Sequence, residues 1–280
     1  LALLAQQPLT AAEMKNQLNP LPKPVELAFS DIVRRLCAEG LLVRGRIRGS
    51  WRSAITEYCL WEDWLPGIDP NRYQAAQAQV MLARLYFASY GPATQEDFQW
   101  WTHWPREETQ AALDALATEL TTLHVEGLDG DFLLLQKDVD TLLATPPVDP
   151  DALDLLPAWD GYLMGYTQRQ RYLAPRYADR LVDRSGNVAS AILRGGAVAG
   201  VWDIEEDRDT FTFKAAFFDK LSMKLQPALR AEAERLYRAI HPDGDHHLRL
   251  LDCSPAPSLE SASQNRFQSP LRDMEGKPFD

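Results

Sequence analysis

Apolar residues along this chain recur first at helical and then at strand spacing, and that order is met twice, about eighty residues apart. Thr10 followed by Glu13 has capping-box spacing and predicts a helix that starts near Ala11. Asn19-Pro20-Leu21-Pro22-Lys23-Pro24 forbids helix and predicts a connector. Leu27, Phe29, Ile32, Val33, Leu36 and Cys37 then recur at three and four, which predicts a helix over 25–38 that Gly40 stops. The stretch LLVRGRIRG alternates instead. Leu42, Arg44, Arg46 and Arg48 fall on one face of an extended strand and Val43, Gly45 and Ile47 on the other, with a tip at Gly49-Ser50 and a return through AITEYCLW.

In the second pass, Asp69-Pro70-Asn71 predicts the start of a helix that runs through Tyr90, with Tyr73, Ala76, Val80, Leu82, Ala83, Tyr86 and Phe87 turned inward. Gly91-Pro92 ends it, Thr94 caps a short helix around Asp97 to Trp101, and Trp104-Pro105 introduces a helix from Arg106 to Leu120. TTLHVEG, a turn and DFLLLQ follow. Each pass reads helix, helix, two-stranded hairpin. That is the order of a winged helix-turn-helix, whose second helix enters the major groove of DNA while the hairpin lies beside the backbone.

Thr145-Pro146-Pro147-Val148-Asp149-Pro150 reads as a linker. Beyond it, Gly186-Asn187, Gly195-Gly196 and Asp207-Arg208-Asp209 separate short apolar runs, predicting a small antiparallel sheet over about 187–218, then an amphipathic helix over 225–240. The expected fold is therefore α+β: tandem winged helix-turn-helix units at 1–68 and 69–145, followed by a small antiparallel β-rich C-terminal domain at 146–240. The Pro-, Ser- and Asp-rich residues 241–280 are expected to form a disordered tail.

The net charge of −11 runs against nucleic-acid binding, but its distribution does not. Residues 1–60 carry eight Lys/Arg and five Asp/Glu, and residues 161–240 carry thirteen and ten; the acid is concentrated in 61–160, with eighteen against four. The predicted wing runs from Arg44 to Arg52 without an acidic residue, so Arg44, Arg46, Arg48 and Arg52 are candidate phosphate ligands. Arg169, Arg171 and Arg176, continued by Arg180 and Arg184 and interleaved with Tyr172 and Tyr177, form a second candidate DNA-binding set. The helix predicted from Arg106 carries Glu107, Glu108, Asp114 and Glu119 and would be repelled by phosphate, which assigns it a scaffold role.

Three widely spaced cysteines, Cys37, Cys59 and Cys253, without a CxxC point to neither a disulfide framework nor a zinc site, and to a reducing cytoplasm at the nucleoid. No apolar run reaches the length of a membrane span. LALLAQQ is no signal peptide, and a chain that opens without Met is expected to be a fragment or processed form. His246-His247 beside Asp243 and Asp245 lies in a tail without a framework and reads as a solvated loop rather than a metal site. No Gly-rich phosphate loop or nucleophile elbow is present, so no cofactor is expected.

Four separated motifs carry a family resemblance. Gly91-Pro92-Ala93-Thr94 with Asp97-Phe98 and Trp100-Trp101 resembles the "GPAT..DF.WW" of the winged-helix DNA glycosylases of the AlkZ and YcaQ type. Leu155-Leu156-Pro157-Ala158-Trp159-Asp160, Tyr162-Leu163, Gly165-Tyr166 and Arg169 resemble its "LLP.FD.YL.GY..R". Gly186-Asn187, Ile192-Leu193, Gly195-Gly196 and Val198 to Trp202 resemble its "G...P.IL.DG.VVG.W", and Glu232, Ala233 and Leu236 its final "EA.RL". The resemblance covers about residues 1–240. It implies winged helices with a β-rich domain around a DNA channel, and hydrolysis of the N-glycosidic bond of alkylated or crosslinked purines. It also implies a catalytic Gln-x-Gln or Gln-x-Asp in a first winged helix that this chain, which aligns from the second, does not present. Gln77-Ala78-Gln79 matches in form but follows the first hairpin instead of preceding it, so no catalytic residue is assigned. Asp160 and Arg169 are a candidate ion pair on the channel wall.

Two other readings fit the layout. A transcriptional regulator would read bases through the 25–38 helix with Arg34 and Arg35, and a protein-interaction scaffold would not bind DNA at moderate salt.

Overall fold

The computed structural model describes residues 1–49, 53–244, 246–259, 269–271 and 274–279. The chain divides into two compact units, Leu1–Ala78 and Gln79–Asp280.

The first unit opens with β1 (Leu9–Thr10) and α1 (Ala11–Gln17). The capping box forms as its spacing predicts: Glu13 N–H donates to Thr10 Oγ1 at 3.2 Å and Thr10 N–H to Glu13 Oε2 at 2.7 Å. The helix expected over 25–38 is broken. It forms α2 (Lys23–Leu27) and α3 (Phe29–Ala38), with Ala28 at φ −88°, ψ 4° between them. Phe29 and Val33 of α3 enter the core, and Leu27 of α2 is 80% exposed. Strands β2 (Leu42–Ile47) and β3 (Thr56–Leu60) complete an antiparallel sheet in the order β1-β3-β2, closed over Leu4, Leu9, Met14, Phe29, Val33 and Leu42.

Helix α4 (Trp61–Trp64) follows, and the long helix begins later than expected, as α5 (Ala75–Tyr90). Asp69 Oδ1 accepts the N–H of Asn71 in a local turn instead of capping a helix, and Gln77 Oε1 takes the N–H of Gln74 at the true start. Tyr73 and Ala76 are consequently exposed, while Ala83, Tyr86 and Phe87 are buried.

In the second unit, α6 (Gln95–Thr102) carries a second capping box, Thr94 with Asp97. Helix α7 (Arg106–Ala115) stops five residues short of Leu120, which opens β4 (Leu120–Leu123), paired antiparallel with β5 (Phe132–Leu135). Helix α8 (Val139–Ala144) precedes a six-stranded sheet. That sheet is built from β6 (Leu153–Leu156), β7 (Ala191–Arg194), β8 (Ala197–Asp207), β9 (Thr210–Phe217), β10 (His247–Asp252) and β11 (Lys277–Pro278), in the order β11-β10-β9-β8-β7-β6. The short helix α9 (Ala178–Leu181) lies in the β6–β7 connection and α10 (Gln226–Ile240) between β9 and β10.

Two expectations are corrected here. The sheet is larger than the expected antiparallel one and mixed, because β10 runs parallel to β9 over six residue pairs. The tail after His241 is therefore ordered where it is described. Of its described apolar residues, Leu250, Leu251, Cys253, Ala256, Leu259 and Leu271 are buried and Leu248, Met274 and Phe279 half-buried, and Lys214 Nζ donates to the carbonyls of Leu271 and Met274. A strand edge needs only a handful of apolar contacts to recruit a segment whose overall composition is polar. Alternation along β9 also gives the sheet two buried faces. Phe211, Phe213, Ala215 and Phe217 pack with Leu229 and Ala233 of α10, while Ala216 on the other face joins Val201, Tyr86, Phe87, Phe98 and Leu116 in a core that spans the expected 145/146 boundary.

Candidate nucleic-acid interface

The expected wing of the first unit is the β2–β3 hairpin, and its alternation is interrupted. Arg44 pairs with Tyr58 and Ile47 with Thr56, so three steps on β2 match two on β3, a β-bulge. The four-residue face expected from Leu42 to Arg48 is thus not maintained. Gly45 is needed at the bulge, since a Cβ there would lie 2.6 Å from Cys59 Sγ. Arg44, Arg46 and Arg48 are all exposed. Arg48 Nε is drawn to Glu57 Oε1 at 2.5 Å, whereas Arg44 and Arg46 have no ion-pair partner among the described residues. Arg52 lies outside the described residues.

Helix α3 presents the opposite picture. Arg34 pairs with Asp31 within the helix at 3.0 Å and Arg35 with Glu39, just past its end, at 2.7 Å. Burial pushes the thiols of Cys37 and Cys59 up, and the nearby Arg44 and Arg46 only partly oppose it, so neither is a reactive thiolate.

The arginines of the second unit separate into buried and exposed. Arg171 is corrected from a DNA ligand to an internal strut: its side chain is 11% exposed, Nη1 donates to Pro92 O at 3.0 Å, and Nη2 lies 3.5 Å from Asp97 Oδ2. Its guanidinium sits 3.7 Å from the Tyr166 ring centre. Arg169 stacks over Trp100 at 5.6 Å, and its Nε is buried without a hydrogen-bond partner. The pair expected between Asp160 and Arg169 is not made; Asp160 Oδ1 accepts the N–H of Tyr162 at 2.9 Å instead. Arg176, 71% exposed, and Arg180 both approach the ring of Tyr177, at 4.7 and 5.4 Å, and Tyr177 Oη donates to Asp219.

Asp97 is the site residue that sequence reasoning treated only as part of a motif. Fully buried, it caps α6 through Oδ2 and accepts the N–H groups of Thr167 and Gln168 through Oδ1, at 2.9 and 3.1 Å. Its capping-box spacing was the available signal. Beside Arg171, the loop 125–128, Pro92, Phe132, Tyr162 and Gln170 line an open cleft of about 420 Å³.

The acids of the second helical pair are engaged locally. Glu119 takes a bidentate bond from Arg84 at 2.7 and 2.8 Å, and Glu108 accepts from Gln79 Nε2 at 2.8 Å. Gln77 and Gln79 are thus committed to a helix start and an interhelical bond. The β7–β8 tip does not project freely either: Arg194 and Lys224 converge on Asp151 at 2.7 Å each and hold its carboxyl below the usual carboxylate range.

His247 enters β10, while His246 packs against His241 and Tyr237 at ring-centre distances of 4.8 and 6.0 Å; Asp245 lies outside the described residues. Among the described residues, no group of three or more His, Cys, Asp or Glu side chains could hold a metal ion. No helix of the described residues is long and apolar enough to cross a membrane.

Comparison with known proteins places this geometry. An interstrand DNA cross-link repair glycosylase from Streptomyces sahachiroi is 26% identical over 216 residues, covering 75% of this chain and 55% of the relative, so the chain spans little more than half of that protein's length. The solved structure of the Streptomyces sahachiroi DNA glycosylase AlkZ shares the fold, with a TM-score of 0.68 at 23% identity over 89% of this chain and 67% of that one. The model of the AlkZ-like DNA glycosylase family matches residues 1–239, and the chain belongs to that family.

Proposed function

We propose that this chain is the DNA-holding part of an AlkZ-like repair glycosylase, acting on double-stranded DNA at the nucleoid of a reducing cytoplasm. Residues 1–68 and 69–145 act as tandem winged helices and 146–240 as a β-rich domain. Arg44 and Arg46, together with Arg48 and Arg52, contact the phosphate backbone, and Arg169 and Arg176 make further contacts to it. The hydrolytic glutamine pair of the family is not supplied by Gln77 and Gln79, whose side chains are committed within their helix and to α7.

The observation that carries this reading is the contrast within the first unit. Arg34 and Arg35 of α3 are neutralised by Asp31 and Glu39, three and four residues away, whereas the hairpin presents Arg44 and Arg46 without an ion-pair partner among the described residues. That pattern favours backbone contact over base readout, and so favours a repair protein over an operator-specific regulator.

The test is the double variant Arg44→Ala/Arg46→Ala. Removing two phosphate contacts should reduce the slope of log affinity against log salt by about 2, equally for unrelated duplex sequences. An unchanged slope removes the hairpin from the interface, and a loss confined to one sequence would support a regulator.

A further inference from the structure

Helix α4 begins and ends on a tryptophan, and the fold treats the two differently. Trp61 is committed: its backbone N–H donates to Leu41 O at 3.1 Å and its indole Nε1–H to Ile68 O at 2.6 Å. These bonds fix the turn on the hairpin of β2 and β3, against which it packs. Trp64 is left 44% exposed, and its indole N–H has no hydrogen-bond partner among the described residues.

The β-bulge decides which arginine shares its face. Arg44 pairs with Tyr58 and Ile47 with Thr56, so the two residues between them, Gly45 and Arg46, both oppose Glu57. A bulge breaks the strict alternation of a strand and re-aims a side chain. Gly45 points to Cys59 and Trp64: a Cβ there would lie 2.6 Å from Cys59 Sγ and 3.6 Å from Trp64 Cζ3. The charge of Arg46 is felt at the Cys59 thiol, and that of Arg44 at the thiol of Cys37 in α3. Arg46 is thus turned to the face that carries the exposed indole, and Arg44 to the other.

The other charges of that face set the kind of ligand it suits. Glu57 is drawn to Arg48, whereas Arg46 is exposed and has no ion-pair partner among the described residues. Asp63 also acts on Cys59 and lies about 100° around the turn from Trp64. It weakens the face for a bare phosphate, so a nucleotide, whose base adds stacking energy on the indole, is the better ligand. The cation on the same face as the ring distinguishes this surface from the broad apolar patch that marks a protein-binding site.

We propose that Trp64 and Arg46 form a site for an unpaired nucleotide of DNA, the indole stacking on its base and the guanidinium holding its phosphate. The proposal rests on the DNA-holding reading above. Bases inside an intact duplex offer no free face, so the site acts only where a base is unpaired, as at a bulge. It separates the two hairpin arginines: Arg44 grips the backbone of any duplex, whereas Arg46 also serves the unpaired nucleotide.

The experiment measures affinity for a fully paired duplex and for the same duplex with one bulged 2-aminopurine, whose fluorescence is quenched on stacking. Wild type is expected to bind the bulged duplex about fivefold or more tightly and to quench the probe. Trp64→Leu, which keeps an apolar side chain over Gly45, should lose preference and quenching, and Trp64→Tyr should retain both. Arg46→Ala should reduce the preference, whereas Arg44→Ala should weaken binding to both duplexes by the same factor. Preference and quenching that survive in Trp64→Leu overturn the site, as does equal weakening of that variant on both duplexes. An unchanged preference in Arg46→Ala overturns it too, and this exposed residue can be replaced even if thermal melting shows that Trp64→Leu does not fold. Absence of preference in wild type with intact binding to paired DNA overturns the site alone; absence of all binding overturns the DNA-holding reading with it.

Discussion

Arg171 and Arg176 stand five residues apart in one basic run, and the fold gives them opposite tasks. Arg171 is enclosed with the fully buried Asp97 and the ring of Tyr166, while Arg176 lies exposed over Tyr177. Removing one partner of a buried pair leaves the other charge uncompensated. Arg171→Ala is therefore expected to destabilise the protein by about 3–5 kcal/mol in urea unfolding, and Arg176→Ala by about 0.5 kcal/mol or less. Equal effects would show that the two guanidinium groups share one environment. Nothing in the local sequence separates them, because what buries Arg171 is Asp97 and Pro92, more than seventy positions earlier. The bulge in β2 was hidden for a similar reason: it answers to Cys59 on the opposite strand, which Gly45 must admit.

Among elements, those set by neighbours in sequence were readable and those set by distant partners were not. Both capping boxes formed at Thr10 and Thr94, since three residues suffice to specify them. The strands β7, β8 and β9 fell within the turns expected to bound them, and α10 began one residue after the expected start. The parallel strand β10 could not be read from a polar tail, because its pairing depends on the free edge of β9. The aromatic packing between α5 and the 162–172 segment was equally invisible. Tyr86 donates to Gly165 O, Tyr166 to Tyr90 O and Tyr172 to Leu163 O, tying the helix to that segment. Burial pushes the phenols of Tyr166 and Tyr172 up to about 12, and that of Tyr86 higher still.

This packing has a consequence for alkaline stability. The folded state keeps these phenols protonated where the unfolded chain would ionise them. Their contribution is complete below an ordinary tyrosine value near 10 and is lost as pH rises through about 12. Unfolding free energy followed from pH 9 upward should fall with a slope set by several tyrosines, starting near pH 10. A flat profile to about pH 12 would mean that the phenols ionise in place.

At the scale of the molecule, the proposed function gives an acidic chain a polyanionic partner, and the distribution of its charge is what supports that reading. Of the acids in the strongly negative middle segment, Glu119, Glu108, Asp97 and Asp151 are engaged by partners within the fold, whereas Arg44 and Arg46 remain open to solvent. Total charge, which sequence supplies, says little about the potential at one hairpin. The chain belongs to the AlkZ-like DNA glycosylase family and spans little more than half of its curated relative, and the role of the hairpin on DNA is the proposed function. The central claim is grip without excision. It is tested most directly by titrating the chain against an undamaged duplex and its alkylated counterpart across a salt series, with free base assayed in the same tubes. Binding to both that weakens steeply with salt, with no base released, is the predicted result; release of free base, or no binding even at low salt, would contradict it.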